Sequence, residues 1–360
     1  MNLLFAALLG AWMGIAVPQT TPTVDDIAQA HIAALGGIEK IHAVHSFVLH
    51  GTYHEGDLNI HTTVTQMRPF YRVIGNMAEP LTHLHEGYDG SSWEYYPNPG
   101  IVVRTVGPAA ATTPHSAMFD DALVDYREHG TSISLDGSTD FAGNRVYLLH
   151  VTLADGFRED LFVDTKTWMI DGYARITPFH AFGTKYATHT EMSDYRPEGG
   201  IMMAHRNREI DSATGKVFDE GTVESVDINP SLPLSIFSPP VWDRTPLQQM
   251  IQRIYDERTD TSAVMQTYRD FKAQIGPTIS TADAVDFVGY QCLKMGETNT
   301  AVTLLAQNVA DYPQSPRAHF GLGRALKTQG KSAEAGSEFD RALALDPTFV
   351  SARTALDALK

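Results

Sequence analysis

The sequence is short of cysteine and of positive charge, and it has no long apolar run. A single cysteine, Cys292, excludes an intramolecular disulfide, so packing alone must hold the fold. It sits inside a helical pattern, where a small buried thiol behaves as an inert hydrophobe. Lys and Arg number 27 against 43 Asp and Glu, giving a formal net charge of -16 with no basic cluster. Nucleic acid and anionic membrane surfaces both require basic patches, so neither is expected as a partner. No stretch approaches ~18 consecutive apolar residues, and no integral membrane span is expected in the mature protein. Familiar catalytic signatures are missing as well. There is no Ser-x-x-Lys, no Gly-x-Ser-x-Gly elbow, no Walker loop and no dinucleotide fingerprint. His85-Glu86 runs into Gly87-Tyr88-Asp89, which breaks the two-histidine helix of zinc proteases. No catalytic residue, metal or cofactor is expected.

What is present divides the chain. Leu3 to Val17 is apolar but too short to span a bilayer, and Gly14 and Ala16 fit an A-x-A-like cleavage site. Residues 1–16 therefore read as a secretory signal peptide, which implies a periplasmic or secreted protein. Thr23 then begins a helix with Asp26 three residues on, and Gly36-Gly37 stops it. Ile27, Ala30, His31, Ala34 and Leu35 share its inward face.

From His45 the period changes to two. Phe47, Leu49, Gly51 and Tyr53 alternate with Val48, His50, Thr52 and His54, and Leu58, Ile60, Thr62 and Val64 repeat the pattern after a turn. Further strands are expected near 70–76, 145–153, 158–164, 184–192, 201–210 and 217–228. Asp89-Gly90, Asp155-Gly156, Gly199-Gly200 and Thr214-Gly215 punctuate them. Short joints predict an antiparallel meander. A helix is expected near Met118–Tyr126. Two short helices cannot fully cover a sheet of seven or more strands, so a curved sheet with a partly filled apolar concavity follows.

After Pro239-Pro240 the pattern becomes helical. Thr245-Pro246 is a cap followed by proline in the first turn. Gly289 and Gly323, Gly296 and Gly330, Ala301 and Ala335, and Pro313 and Pro347 are each 34 residues apart, the period of the tetratricopeptide helix pair. Such repeats dock partner proteins and carry no chemistry of their own. The expected organisation is a sheet domain over 23–240, connecting helices over 241–280 that read as a worn third copy, and repeats over 281–360. The fold class is α+β, a curved antiparallel half-barrel with covering helices, followed by an all-α repeat domain.

The first domain resembles the LolA/LppX-like periplasmic carriers. The resemblance runs in order through Ala33-Ala34-Leu35-Gly36-Gly37-Ile38-Glu39-Lys40, Met67-Arg68-Pro69-Phe70-Tyr71-Arg72 and Gly87-Tyr88-Asp89-Gly90-Ser91-Ser92-Trp93. It continues through Phe162-Val163-Asp164-Thr165-Lys166-Thr167 and Val226-Asp227-Ile228-Asn229-Pro230 to Ile236-Phe237-Ser238-Pro239-Pro240. It implies a non-enzymatic holder of a lipid or a lipoprotein's acyl chain. As residues for the inner face, Phe47, Leu49, Tyr53, Ile60, Val64 and Trp93 are the candidates; ordinary core packing is the competing reading.

Two other functions stay open. The repeats also resemble accessory repeats of exported bacterial hydrolases, and His42, His45, His50, His54 and His61 crowd the first strands, with His83 and His85 following. His50 and His54 lie on one side of a strand, about 13 Å apart if extended, so only cross-strand pairing with His61 would build a metal site. The third reading is a structural interaction module that binds no small molecule.

Overall fold

The computed structural model describes residues 21–359, except 56–57, 70, 77–83, 97–100, 105–113, 179–184, 240–243 and 277–278. The signal segment 1–16 and His83 lie outside the described residues.

Helix α1 (Val24–Leu35) starts on a reciprocal cap. The Thr23 hydroxyl accepts from the Asp26 amide at 3.2 Å, and the Asp26 carboxylate accepts from the Thr23 amide at 2.8 Å. Gly36, at φ +124°, ends it, and α2 (Ile38–Ala43) follows. The strands are β1 (Ser46–Glu55), β2 (Leu58–Met67), β3 (Tyr71–Asn76), β4 (Leu84–Tyr88), β5 (Ser92–Tyr96), β6 (Ile101–Arg104) and β7 (Ser132–Phe141). Then come β8 (Asn144–Thr152), β9 (Arg158–Asp164), β10 (Ile170–Pro178), β11 (Lys185–Glu198), β12 (Ile201–Asp211) and β13 (Val217–Ile228).

All thirteen form one curved, unclosed antiparallel sheet in the order β6-β5-β4-β3-β2-β1-β13-β12-β11-β10-β9-β8-β7. It is two meanders sewn together where β1 pairs with β13. That seam fixes the connection between β6 and β7, which lie at opposite edges. The described part of that connection, from 114 onward, lies over the concave face. It is a single helical turn at 114–116 followed by irregular turns through 130, so the helix expected near Met118–Tyr126 does not form. The Asp121 side chain accepts from the Leu123 amide at 2.9 Å, a local bond that competes with helix continuation.

Next come a 3-10 turn at Leu234–Phe237 and the helices α3 (Pro246–Asp256) and α4 (Thr261–Ile275). The chain ends in α5 (Ala282–Lys294), α6 (Thr298–Asp311), α7 (Pro316–Thr328), α8 (Ser332–Leu345) and α9 (Val350–Asp357). The 34-residue period is structural: α5 maps onto α7 and α6 onto α8, the hairpins turning through Gly296 at φ +88° and Gly330 at φ +84°. A Cβ on Gly289 would stand 2.7 Å from Leu305, and one on Gly323 2.5 Å from Phe339. Those partners are themselves 34 apart, so the close helix–helix approach is repeated contact for contact.

Helix α3 occupies a special place. Where Gly289 and Gly323 stand in the later hairpins, it carries Tyr255, whose hydroxyl donates to the Arg104 carbonyl of β6 at 2.6 Å. Gln252 accepts from the Val102 amide at 2.9 Å. Ile101 and Val103 pack against Met250, Ile251 and Ile254. The helix thus closes the backbone edge of β6 that would otherwise pair with another chain.

Candidate functional site

The concave face has three roofing elements: α1, α2 and the segment 114–124. Between roof and sheet lies a partly open cavity of about 480 Å³. Its floor crosses the seam, from Phe47, Val64, Gln66 and Arg72 on β1–β3 to Leu161, Tyr173 and Tyr195 on β9–β11. Four thioethers, Met118, Met192, Met202 and Met203, line it with Leu35, Ile41, Phe119 and Ile201. Methionine is unbranched and polarisable, so such a wall adapts to a flexible apolar guest.

Polar groups hold the roof down. His31 is 1% exposed; its Nδ1 donates to the Trp168 carbonyl at 2.7 Å and its Nε2 to the Asp121 carboxylate at 3.1 Å. With both nitrogens donating, the ring is an imidazolium. Burial alone would lower the His31 pKa and raise that of Asp121. Their mutual charge and hydrogen bond win, leaving His31 above and Asp121 below their ordinary values. The pair joins α1, the crossing segment and the turn before β10. Arg68 ties a second corner. Its guanidinium pairs with Asp120, donates to the carbonyls of Ile41 at 2.9 Å and Val44 at 2.7 Å, and covers the Phe119 ring at 4.5 Å.

One end of the cavity is chemically different. Glu159 on β9 stands directly opposite Arg175 on β10. Burial pushes the Glu159 carboxyl above its ordinary value, against the pull of Arg175. The Arg175 guanidinium carbon stands 4.6 Å from the centre of the Tyr173 ring and, among the described residues, Arg175 has no carboxylate or carbonyl hydrogen-bond partner. His115 stacks on Phe157, two residues before Glu159, with 3.9 Å between ring centroids. Its Nε2 donates to Asp155 at 2.6 Å, and its buried Nδ1 has no hydrogen-bond partner among the described residues.

Of the six residues singled out from sequence, Phe47 and Val64 line this cavity. Leu49, Tyr53 and Ile60 share their face of the sheet but lie farther along it, beyond the cavity wall; the Tyr53 hydroxyl donates to Asp219 at 3.2 Å. Trp93 is corrected. It faces the other side of the sheet, fully buried with Val73, Val102 and Phe237, and its indole N–H donates to the Phe237 carbonyl at 2.8 Å. Gly87 across the strand makes that seat, since a Cβ there would be 2.5 Å from the indole. His50 and His61 lie on the face away from Phe47. His50 Nε2 is 3.8 Å from Asp227, and His61 is exposed opposite Thr52. Among the described residues no group of three or more His, Cys, Asp or Glu side chains comes together as a metal site. No described helix is long and apolar enough to cross a membrane.

Fold and cavity together define a class: an open antiparallel half-barrel whose crossing segment roofs its concave face. No protein-family model matches the sequence, and no curated protein matches it. Solved structures do. A domain from Vibrio parahaemolyticus named for outer membrane lipoprotein sorting is similar at 12% identity and TM-score 0.42, over 60% of this chain and 95% of that one. A DUF1329 family protein from Desulfovibrio piger is similar at 13% identity and TM-score 0.43, over 61% and 98%. A LolA superfamily protein from Nitrosomonas europaea is similar at 14% identity and TM-score 0.40, over 61% and 98%. Each is a distant likeness in fold.

Proposed function

We propose that this chain is a non-enzymatic exported protein, periplasmic or secreted, whose half-barrel shelters the acyl chain of a lipid or lipidated ligand. Its C-terminal hairpins are tetratricopeptide-type repeats that dock a partner protein. The observation that carries the reading is the methionine-lined cavity between sheet and roof. Its volume falls within the ~300–1,000 Å³ of small-molecule sites, and it offers dry contact area without demanding a fixed set of hydrogen bonds.

Native mass spectrometry of the full chain, purified from an exporting host, tests it. The expected result is a bound lipid released by denaturation. Ala204, on the cavity wall, is the place to block the space. Ala204→Trp should abolish the bound mass while leaving the circular dichroism spectrum intact. A wild-type protein that carries no lipid and takes up no added amphiphile would overturn the proposal.

A further inference from the structure

The cavity is not uniformly apolar, and its polar end is unlike the polar contacts elsewhere around it. Asp121 is neutralised by His31, Asp120 by Arg68, and Arg72 is paired with Glu86 at 2.9 Å. These pairs hold the roof and the sheet together. Arg175 does not follow that rule. Arg175 makes a cation–π contact with Tyr173, and its N–H donors have no acceptor among the described residues. Its cross-strand neighbour Glu159 makes no ion pair with it, and burial raises the Glu159 carboxyl above its ordinary value. A half-buried cation without an acceptor favours a ligand that supplies one.

We propose that Arg175 forms the head-group contact for a single-chain amphiphile with a carboxylate head, a long-chain fatty-acid anion. The inference rests on the cavity being a chain site. A guanidinium edge fits a carboxylate in a two-bond fork, which suits a planar head. Capacity points to one chain. At about 480 Å³ the cavity lies toward the lower part of the ~300–1,000 Å³ range of small-molecule sites, which suits a single-chain guest. The methionine wall then takes the tail, and the polar end takes the charge.

The test is a binding titration of delipidated full-length protein with palmitate, hexadecanol and a single-chain lysophosphatidate. Wild type should bind palmitate at least tenfold more tightly than hexadecanol. Arg175→Gln should erase that preference, weakening palmitate far more than hexadecanol, and Arg175→Lys should restore part of it. Equal affinity for palmitate and hexadecanol, unaltered by Arg175→Gln, would overturn the head-group subsite and leave the chain site standing. Tight lysophosphatidate with weak palmitate would overturn the carboxylate assignment. Binding of none of the three would remove the chain site itself, and the subsite with it.

Discussion

His31 shows how much a single side chain can organise. It stands on the first helix, yet its two donors reach the crossing segment and a turn on the far wing of the sheet. Because its folded pKa is raised, its contribution is fully present below about 6.5 and is lost as pH rises through the higher folded value. Asp121 is lowered, so its share is present above 3.8 and is lost as pH falls through its depressed value. His31→Asn should cost about 3 kcal/mol near pH 6, the scale for breaking a buried pair. Thermal midpoints of wild type and variant should converge as pH rises through the raised folded value of His31; a constant gap as pH rises above 6.5 would contradict the assignment. At this scale the sequence was partly legible. Phe47, Val64 and His31 declare themselves by their positions on periodic faces. Glu159 was readable too, since it shares a face with Leu161 and Val163 of an expected strand. Arg175 was hidden because Gly172 and Pro178 disturb the pattern of β10.

Elements built from local contacts were the most legible. The helical hairpins follow from a period of 34, and their tight approach depends on the missing Cβ at Gly289 and Gly323. Gly323→Ala forces a methyl against Phe339, which is 0% exposed and has no room to retreat. That overpacking should cost about 1–3 kcal/mol, outweighing the helix propensity gained, and it should appear as a lower denaturation midpoint. Helix α3 lacks a glycine at the matching place, because Tyr255 there reaches outward to β6 instead of admitting a neighbouring helix. Strands β4 to β7 were harder to read. Three are only four or five residues long, and β7 alternates Ser and Asp outward around a bulge at Gly137, so little apolar signal survives.

The whole molecule rests on pairings that leave no local trace. Nothing in β1 or β13 alone announces that they join, yet that seam sends β6 and β7 to opposite edges and makes a roof out of a connection. The other global contact is α3 along β6. A chain ending at residue 239 would lack that helix and expose the Val102 amide, the Arg104 carbonyl and the apolar side chains of Ile101 and Val103. Sedimentation should show the truncated chain self-associating at concentrations where the full chain does not. Equal behaviour would mean the edge needs no cover.

The guarding of that rim by Tyr255 and Gln252 also ties the helical array to the outermost strand of the trough. A pull on α3 would reach the β6 backbone through two side-chain hydrogen bonds.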